Sequence, residues 1–222
     1  MLLVVLLTHP RPWRGDPRSD ALLDALGIAV TLAGQSLRVL VIGLAYIQRG
    51  GKNKRIAADE LVTDGLFAHS RHPLYVGNFL LLFGLLIIWN SPAAYVVGVA
   101  GVGFSLYAMA YAEETFLRRK FGAQYVAYCA RVNRFVPDLR GLRNTMARFH
   151  FDWRRVVRKE YGTTFTWTTT AIVLVVLEHV IWDGSGGMRR TAVPGAVIWL
   201  CLAALWGVAR WMKKSGRLNS PS

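Results

Sequence analysis

Five apolar runs separated by charged connections constrain this chain more than any other feature. They cover Ala21 to Gln48, Leu74 to Trp89, Ala93 to Tyr111, Thr164 to Trp182 and Ala192 to Met212. A helix that crosses a bilayer needs about 20 predominantly apolar residues to span ~30 Å of hydrocarbon. The five runs therefore predict an all-α, multi-span integral membrane helical bundle of about five transmembrane helices, with lipid supplying much of the burial. The second run is short, about 24 Å at 1.5 Å per residue, and should need its flanks to reach across. Met1 to Leu7 is apolar but too short to span, and reads as a remnant or an interfacial anchor.

The formal net charge of +14 raises nucleic acid as a partner. The basic residues lie between the apolar runs rather than on one amphipathic face, however, so the expected partner is the bilayer with its anionic headgroups, and no nucleic acid. Placing the connections 49–72 and 113–160 and the tail 210–222 on one side collects 21 Lys and Arg there, against five on the other. By the positive-inside rule the crowded side faces the cytoplasm. Cys129 and Cys201 stand alone with no metal-ligand spacing, and read as small apolar residues. His69 and His72 lack a third ligand at suitable spacing, so no metal is expected.

Divided by composition, the chain has an amino-terminal stub and loop at 1–20 and a membrane core at 21–138. A basic cytoplasmic linker at 139–162 and a two-helix membrane extension at 163–222 follow. Ser19-Asp20 is a helix-start signal, and Gly27, Gly34 and Gly43 permit close helix approach in the first run. Asn90-Ser91-Pro92 reads as a tight reversal with Ser91 as N-cap. The second and third runs then form a hairpin whose outer ends, near His72 and Glu113, share one membrane face. Residues 113–160 are too charged to cross and read as one or two interfacial helices broken at Pro137 and Gly141. Gly184-Ser185-Gly186-Gly187 joins the last two runs. Glu178 and His179, near the outer end of their run, are expected to snorkel to the interface, and the threonines at 163–170 to bond back to their own helix.

The chemistry gathers at the hairpin mouth. Pro73 fits a first helical turn, so His72 sits at a helix N-terminus, where backbone N–H groups favour an anionic group. Tyr107, Tyr111, Glu114 and Arg118 follow the spacing of one helix face. Carboxylates beside aromatic rings suit a cationic or amino-bearing ligand. Arg38, near mid-span, costs roughly 3 kcal/mol to insert, so it should face a polar cavity or a carboxylate, and it is a substrate-binding candidate. Singly, each of these residues reads as well as a basic anchor, an interfacial belt tyrosine or a solvated helix end.

Together the motifs are more specific. Arg71-His72-Pro73-Leu74-Tyr75-Val76-Gly77, the hairpin, Glu113-Glu114-x-x-Leu117, Phe121-Gly122-x-x-Tyr125-x-x-Tyr128 and Arg131 to Pro137 resemble the isoprenylcysteine carboxyl methyltransferase and phospholipid methyltransferase superfamily. The similarity runs from about Gly27 to Asp138. It implies an integral membrane enzyme that uses S-adenosylmethionine to methylate a carboxylate or amine of a lipid or isoprenoid amphiphile. His72, Pro73, Tyr75, Gly77, Tyr111, Glu113 and Glu114 would then bind the cofactor. Arg71 and Arg131 would meet the substrate carboxylate and, with Glu114, act in catalysis. If the acceptor were an ammonium, Glu113 or Glu114 would take its proton.

Two departures accompany the resemblance, one of them a short amino end without the additional spans of the eukaryotic prenylcysteine enzymes, which argues against a prenylated protein substrate. The carboxyl methyltransferases generally end soon after the proline matching Pro137, whereas this chain carries some 80 further residues. Those residues could cover the substrate entrance, form a homo-oligomer interface or bind a partner. Membrane sterol and isoprenoid reductases share a similar R-H-P-x-Y-x-G element and use a nicotinamide cofactor. An acidic residue commonly follows their motif glycine, where this chain has Asn78. A non-catalytic assembly protein is the third reading, and it gives no reason for His72 and Glu114 to meet.

Overall fold

In the computed structural model, residues 8, 10, 17–44, 60–147 and 151–218 are described, the side chains of 17–19 excepted. Met1 to Leu7, the last four residues of the expected first span and the basic stretch Lys52 to Arg55 lie outside them. Helix α1 spans Pro17–Leu44, α2 spans Pro73–Trp89 and α3 spans Pro92–Arg131. Short α4 is Leu142–Ala147, and the chain closes with α5, Trp153–Asp183, and α6, Ser185–Lys214. A 3-10 turn at Gly65–Ala68 precedes α2. The stretches Asp20–Leu44, Pro92–Arg131, Trp153–Asp183 and Ser185–Lys214 are long and apolar enough to cross a membrane, and α2 is a shorter apolar helix beside them. The result is the all-α membrane bundle that the apolar runs predict.

Glycine sets how closely α1 and α2 approach. A methyl group at Gly27 would lie 2.7 Å from the Gly84 carbonyl, one at Gly34 would lie 2.8 Å from the Gly77 carbonyl, and one at Gly84 would lie 2.1 Å from Thr31 Oγ1. The backbones thus touch directly, as small residues allow between membrane helices. Gly43 is filled by Phe151, whose ring a Cβ there would strike at 2.3 Å. The three glycines of the first run all serve close contact.

The α2–α3 reversal follows the sequence signal in outline. Asn90 takes a left-handed conformation (φ 42°) that ends α2, and Ser91 caps α3 with extended backbone but without a side-chain hydrogen bond. Leu85, Leu86, Ile88 and Trp89 from α2 pack with Ala94 of α3 and with Ala171 and Leu174 of α5.

Three expectations change. First, α3 does not stop near Tyr111: it continues through Glu113-Glu114 to Phe121, breaks at Gly122 (φ 51°, ψ −124°), and resumes to Arg131. Glu, Leu, Arg and Lys are good helix formers, so leaving the apolar zone does not end the helix. The positive φ that redirects it is cheap only for glycine. Second, α5 begins at Trp153, where the Asp152 side chain accepts from Arg155 N at 2.9 Å, so the expected boundary at 162/163 falls inside a helix. Third, Glu178 does not snorkel. It is fully buried, on the inward stripe it shares with Ala171 and Leu174, because positions three and four apart on a helix face the same way.

Other details agree with the sequence. Thr166, Thr168 and Thr170 donate to carbonyls four residues back at 2.7–2.9 Å. Gly184 (φ 56°) makes the turn between α5 and α6, whereas Ser185, Gly186 and Gly187, expected in that turn, already belong to α6.

Candidate functional site

The segment after α3 returns to the mouth of the α2–α3 hairpin and is fixed there by main-chain hydrogen bonds. Arg71 N donates to Asn133 O at 2.9 Å, His72 N to Arg134 O at 3.1 Å and Asp138 N to His69 O at 2.9 Å. The break at Gly122 makes this possible, since Leu117, Tyr125, Tyr128 and Val132 then pack into one cluster. Tyr128 Oη donates to Phe67 O at 2.7 Å and locks the returning helix to the 3-10 turn. His69 is taken up by the Asp138 carbonyl and the Thr145 hydroxyl, so it ties α4 to this loop.

Glu114 is the centre of the site. One oxygen receives His72 Nε2 at 3.0 Å, Arg71 Nη1 at 3.2 Å and Arg134 Nε at 2.9 Å. The other receives Arg134 Nη2 at 2.7 Å, completing a bidentate pair. A carboxylate only accepts, so His72 Nε2 carries the proton in this contact. Next to it, Tyr75 Oη donates to Glu113 Oε2 at 3.1 Å and His72 Nδ1 lies 3.6 Å from the same oxygen. The Tyr75 and His72 rings stack, with centroids 5.2 Å apart. The hydrogen bonds that Arg134 donates to Glu114 hold it more firmly protonated than a free guanidinium.

The expected residues fare differently. His72, Pro73 and Gly77 are buried, Tyr75 is half-buried, and His72, Tyr75, Glu113, Glu114 and Arg71 converge. Tyr111 is 60% exposed. Arg131, the expected substrate arginine, is exposed at the end of α3. Arg134 occupies the centre in its place, with its guanidinium 5.2 Å above the Tyr107 ring. In the sequence Arg134 stands inside the Arg131 to Pro137 motif with no role of its own; the signal is its position three residues beyond Arg131, after the helix ends. Cys129 is likewise more than filler, since its sulfur accepts from Arg71 Nη1 at 3.3 Å.

Arg38 meets a carboxylate, as its cost in a membrane requires, but not at this centre. Its Nε and Nη2 donate to Glu160 of α5 at 2.9 and 2.7 Å, and Nη1 donates to Asn78. Gln35 adds a bond to Glu160 at 3.1 Å and accepts from Trp167 Nε1 at 2.9 Å. This network fastens the carboxy-terminal helices to α1 and α2.

Beside the polar centre is an apolar cleft of about 410 Å³ lined by Tyr75, Val76, Phe79, Leu106, Tyr107 and Phe135 to Pro137, among others. Tyr75 belongs to both cleft and centre. A charged, hydrogen-bonded group and an apolar chain can therefore be held within one ligand's length of each other.

Residues 24–124 match the family model described as phospholipid methyltransferase. The chain is 29% identical over 127 residues to the protein-S-isoprenylcysteine O-methyltransferase of Rattus norvegicus, covering 54% of this chain and 43% of that protein. It is 30% identical over 120 residues to protein-S-isoprenylcysteine O-methyltransferase B of Arabidopsis thaliana, covering 52% and 59%. With the cobalt-zinc-cadmium resistance protein CzcN of Cupriavidus metallidurans it shares 33% identity over 143 residues, covering 63% and 59%. The chain thus spans roughly half the length of the curated relatives it matches. No solved structure gives a significant match.

Proposed function

Taking as premise that this chain belongs to the isoprenylcysteine and phospholipid methyltransferase superfamily, we propose that it is a membrane methyltransferase. The methyl donor in this reading is S-adenosylmethionine, and the acceptor is a carboxylate or amine on an isoprenoid or lipid amphiphile drawn from the bilayer. The observation that carries it is the convergence of His72, Glu113, Glu114 and two arginines beside an apolar cleft that shares Tyr75 with them.

The residues present suit such a donor. Its amino-acid end carries an ammonium and a carboxylate, and its sulfonium is a second cation. Arg71 Nε is buried with no hydrogen-bond partner among the described residues, an unmet donor that a ligand carboxylate would satisfy. Glu113, with 21% of its side chain exposed, offers negative charge to a cation at the same mouth. When bound, S-adenosylmethionine supplies an electrophilic methyl group.

The protein's own part is positioning and electrostatics. Glu114 holds Arg71, His72 and Arg134 on one carboxylate, which ties the loop 132–138 to the mouth. Both its oxygens are committed to cations, so proton removal from an ammonium acceptor falls to Glu113. A carboxylate acceptor needs no base. Arg134, rather than Arg131, stands where an acceptor carboxylate would be drawn toward Tyr107, with the apolar chain along Phe79 and Leu106. The Rattus norvegicus and Arabidopsis thaliana relatives are O-methyltransferases by name, and Arg134 beside the cleft favours the same acceptor chemistry here.

The charge distribution supports a mouth on the cytoplasmic side, where a water-soluble donor is available. The test is transfer of labelled methyl from S-adenosylmethionine to acceptors presented in lipid vesicles. The expected result is an organic-soluble product that releases volatile methanol in base, as a methyl ester does. Label stable to base would assign N-methylation, and oxidation of NADPH with no methyl transfer would overturn the reading in favour of a reductase.

A further inference from the structure

The other end of the bundle holds polar groups that this mechanism does not use. Asp20 and Asp24 lie in the first turns of α1, and Glu178 lies five residues before the end of α5. One carboxylate oxygen from each can be chosen so that all three lie within 4.8 Å of one another. Asp20 is 4% exposed and Glu178 is 0% exposed. Leu174, one turn before Glu178, packs against Trp89 at the far end of α2. The cluster is therefore separated from the His72 end by roughly the length of that helix, ~25 Å.

Glu178 carries the inference beyond a chance acidic patch. Both of its oxygens are buried, and neither has a hydrogen-bond partner among the described residues. Burying a carboxylate with no donor to meet it is strongly unfavourable, and buried charges in native proteins are paired or coordinate a metal. Hydrogen bonds through a shared proton would draw carboxylate oxygens to about 2.5–2.7 Å, and no such bond reaches Glu178. Oxygens that share one Ca²⁺ ion are about 3.3–5.2 Å apart in pairs, from adjacent to opposite positions at ligand distances of 2.3–2.6 Å. Three oxygens within 4.8 Å of one another can meet that requirement.

We propose that Asp20, Asp24 and Glu178 form a divalent-cation site that joins α1 to α5 at the end of the bundle opposite the methyl-transfer centre. The all-oxygen donor set selects a hard cation of the Ca²⁺, Mg²⁺ or Mn²⁺ class. His179 is the nearby basic group, but its Nδ1 is engaged with Val175 O at 2.9 Å, so it flanks the cluster instead of neutralising Glu178 directly. The ion would serve as a clamp: the amino-terminal helix of the core and the carboxy-terminal extension both end there, and each contributes ligands.

The full chain, purified in detergent and stripped with a chelator, is titrated with Mn²⁺ alone and followed by electron paramagnetic resonance. One Mn²⁺ per chain is expected, with affinity at least tenfold weaker in Glu178→Gln and in Asp24→Asn and unchanged in Asp183→Asn, an exposed acidic control at the same end. Mn²⁺ should also raise the thermal midpoint of the parent protein but not of either cluster variant. The Asp24 variant carries the test if Glu178→Gln does not fold. Equal Mn²⁺ binding by parent and cluster variants would place the ion on surface carboxylates and overturn the proposal. So would a parent with no Mn²⁺ response and a metal-free Glu178→Gln that is the more stable protein, which is the behaviour of a buried protonated carboxyl.

Discussion

Arg134 grips Glu114 with two parallel hydrogen bonds, at 2.9 and 2.7 Å, across twenty residues of chain. That pair closes the loop beyond α3 onto the helix that leads into it. Because His72 and Arg71 bind the same carboxylate, one side chain fixes three parts of the site.

Glu114→Gln should therefore cost stability as well as ligand affinity. Removing one partner of a buried pair costs about 3–5 kcal/mol, since the remaining charges stay buried. We expect a lower thermal midpoint and at least tenfold weaker S-adenosylmethionine binding by calorimetry. Unchanged values for both would remove Glu114 from the centre of the site.

Arginine substitutions separate the two candidates for the acceptor contact. Arg134→Ala should abolish measurable methyl transfer, and Arg134→Lys should restore little, because lysine keeps the charge but not the planar fork. Arg131→Ala should leave turnover close to the parent, with a stability change within about 0.5 kcal/mol, typical of exposed sites. A larger loss of activity in Arg131→Ala than in Arg134→Ala would reverse the assignment.

The attachment of the extension rests on Arg38 and Glu160, whose side chains are 12% and 4% exposed. Glu160→Ala should destabilise the protein by about 3–5 kcal/mol by leaving Arg38 buried and unpaired. Replacing both with methionine should recover most of that loss, as apolar residues of similar volume do for buried pairs. Denaturation in mild detergent would read the difference, and equal loss in single and double variants would contradict it.

Close contact between α1 and α2 predicts a contrast between two glycines. Gly84→Ala sets a methyl group against the Thr31 and Gly27 backbone, whereas a methyl group at Gly101 meets nothing within 4 Å. Overpacking of this kind costs about 1–3 kcal/mol or more. The Gly101→Ala variant should melt like the parent, and the Gly84→Ala variant several degrees lower.

Much of this arrangement was legible in the sequence because the bilayer imposes simple rules. Apolar length gave the helices, Asn90-Ser91-Pro92 gave the hairpin, and the cost of a charge in lipid implied that Arg38 has a carboxylate partner. Which carboxylate could not be read, because Glu160 lies 122 residues away and only packing brings α5 to α1. The choice of Arg134 over Arg131 depends on a backbone break at Gly122 and on where α3 finally ends, and no local pattern encodes that register. Glu178 was misread because closeness to a span's end suggested water, while its helical phase with Leu174 turned it inward.

The central claim is that this site binds a methyl donor, and calorimetry on the purified protein tests it most directly. Saturable binding of S-adenosylmethionine and S-adenosylhomocysteine is expected, with none of NADPH, and with weakened binding in Glu114→Gln. Binding of NADPH alone would contradict the account and assign the site to reduction.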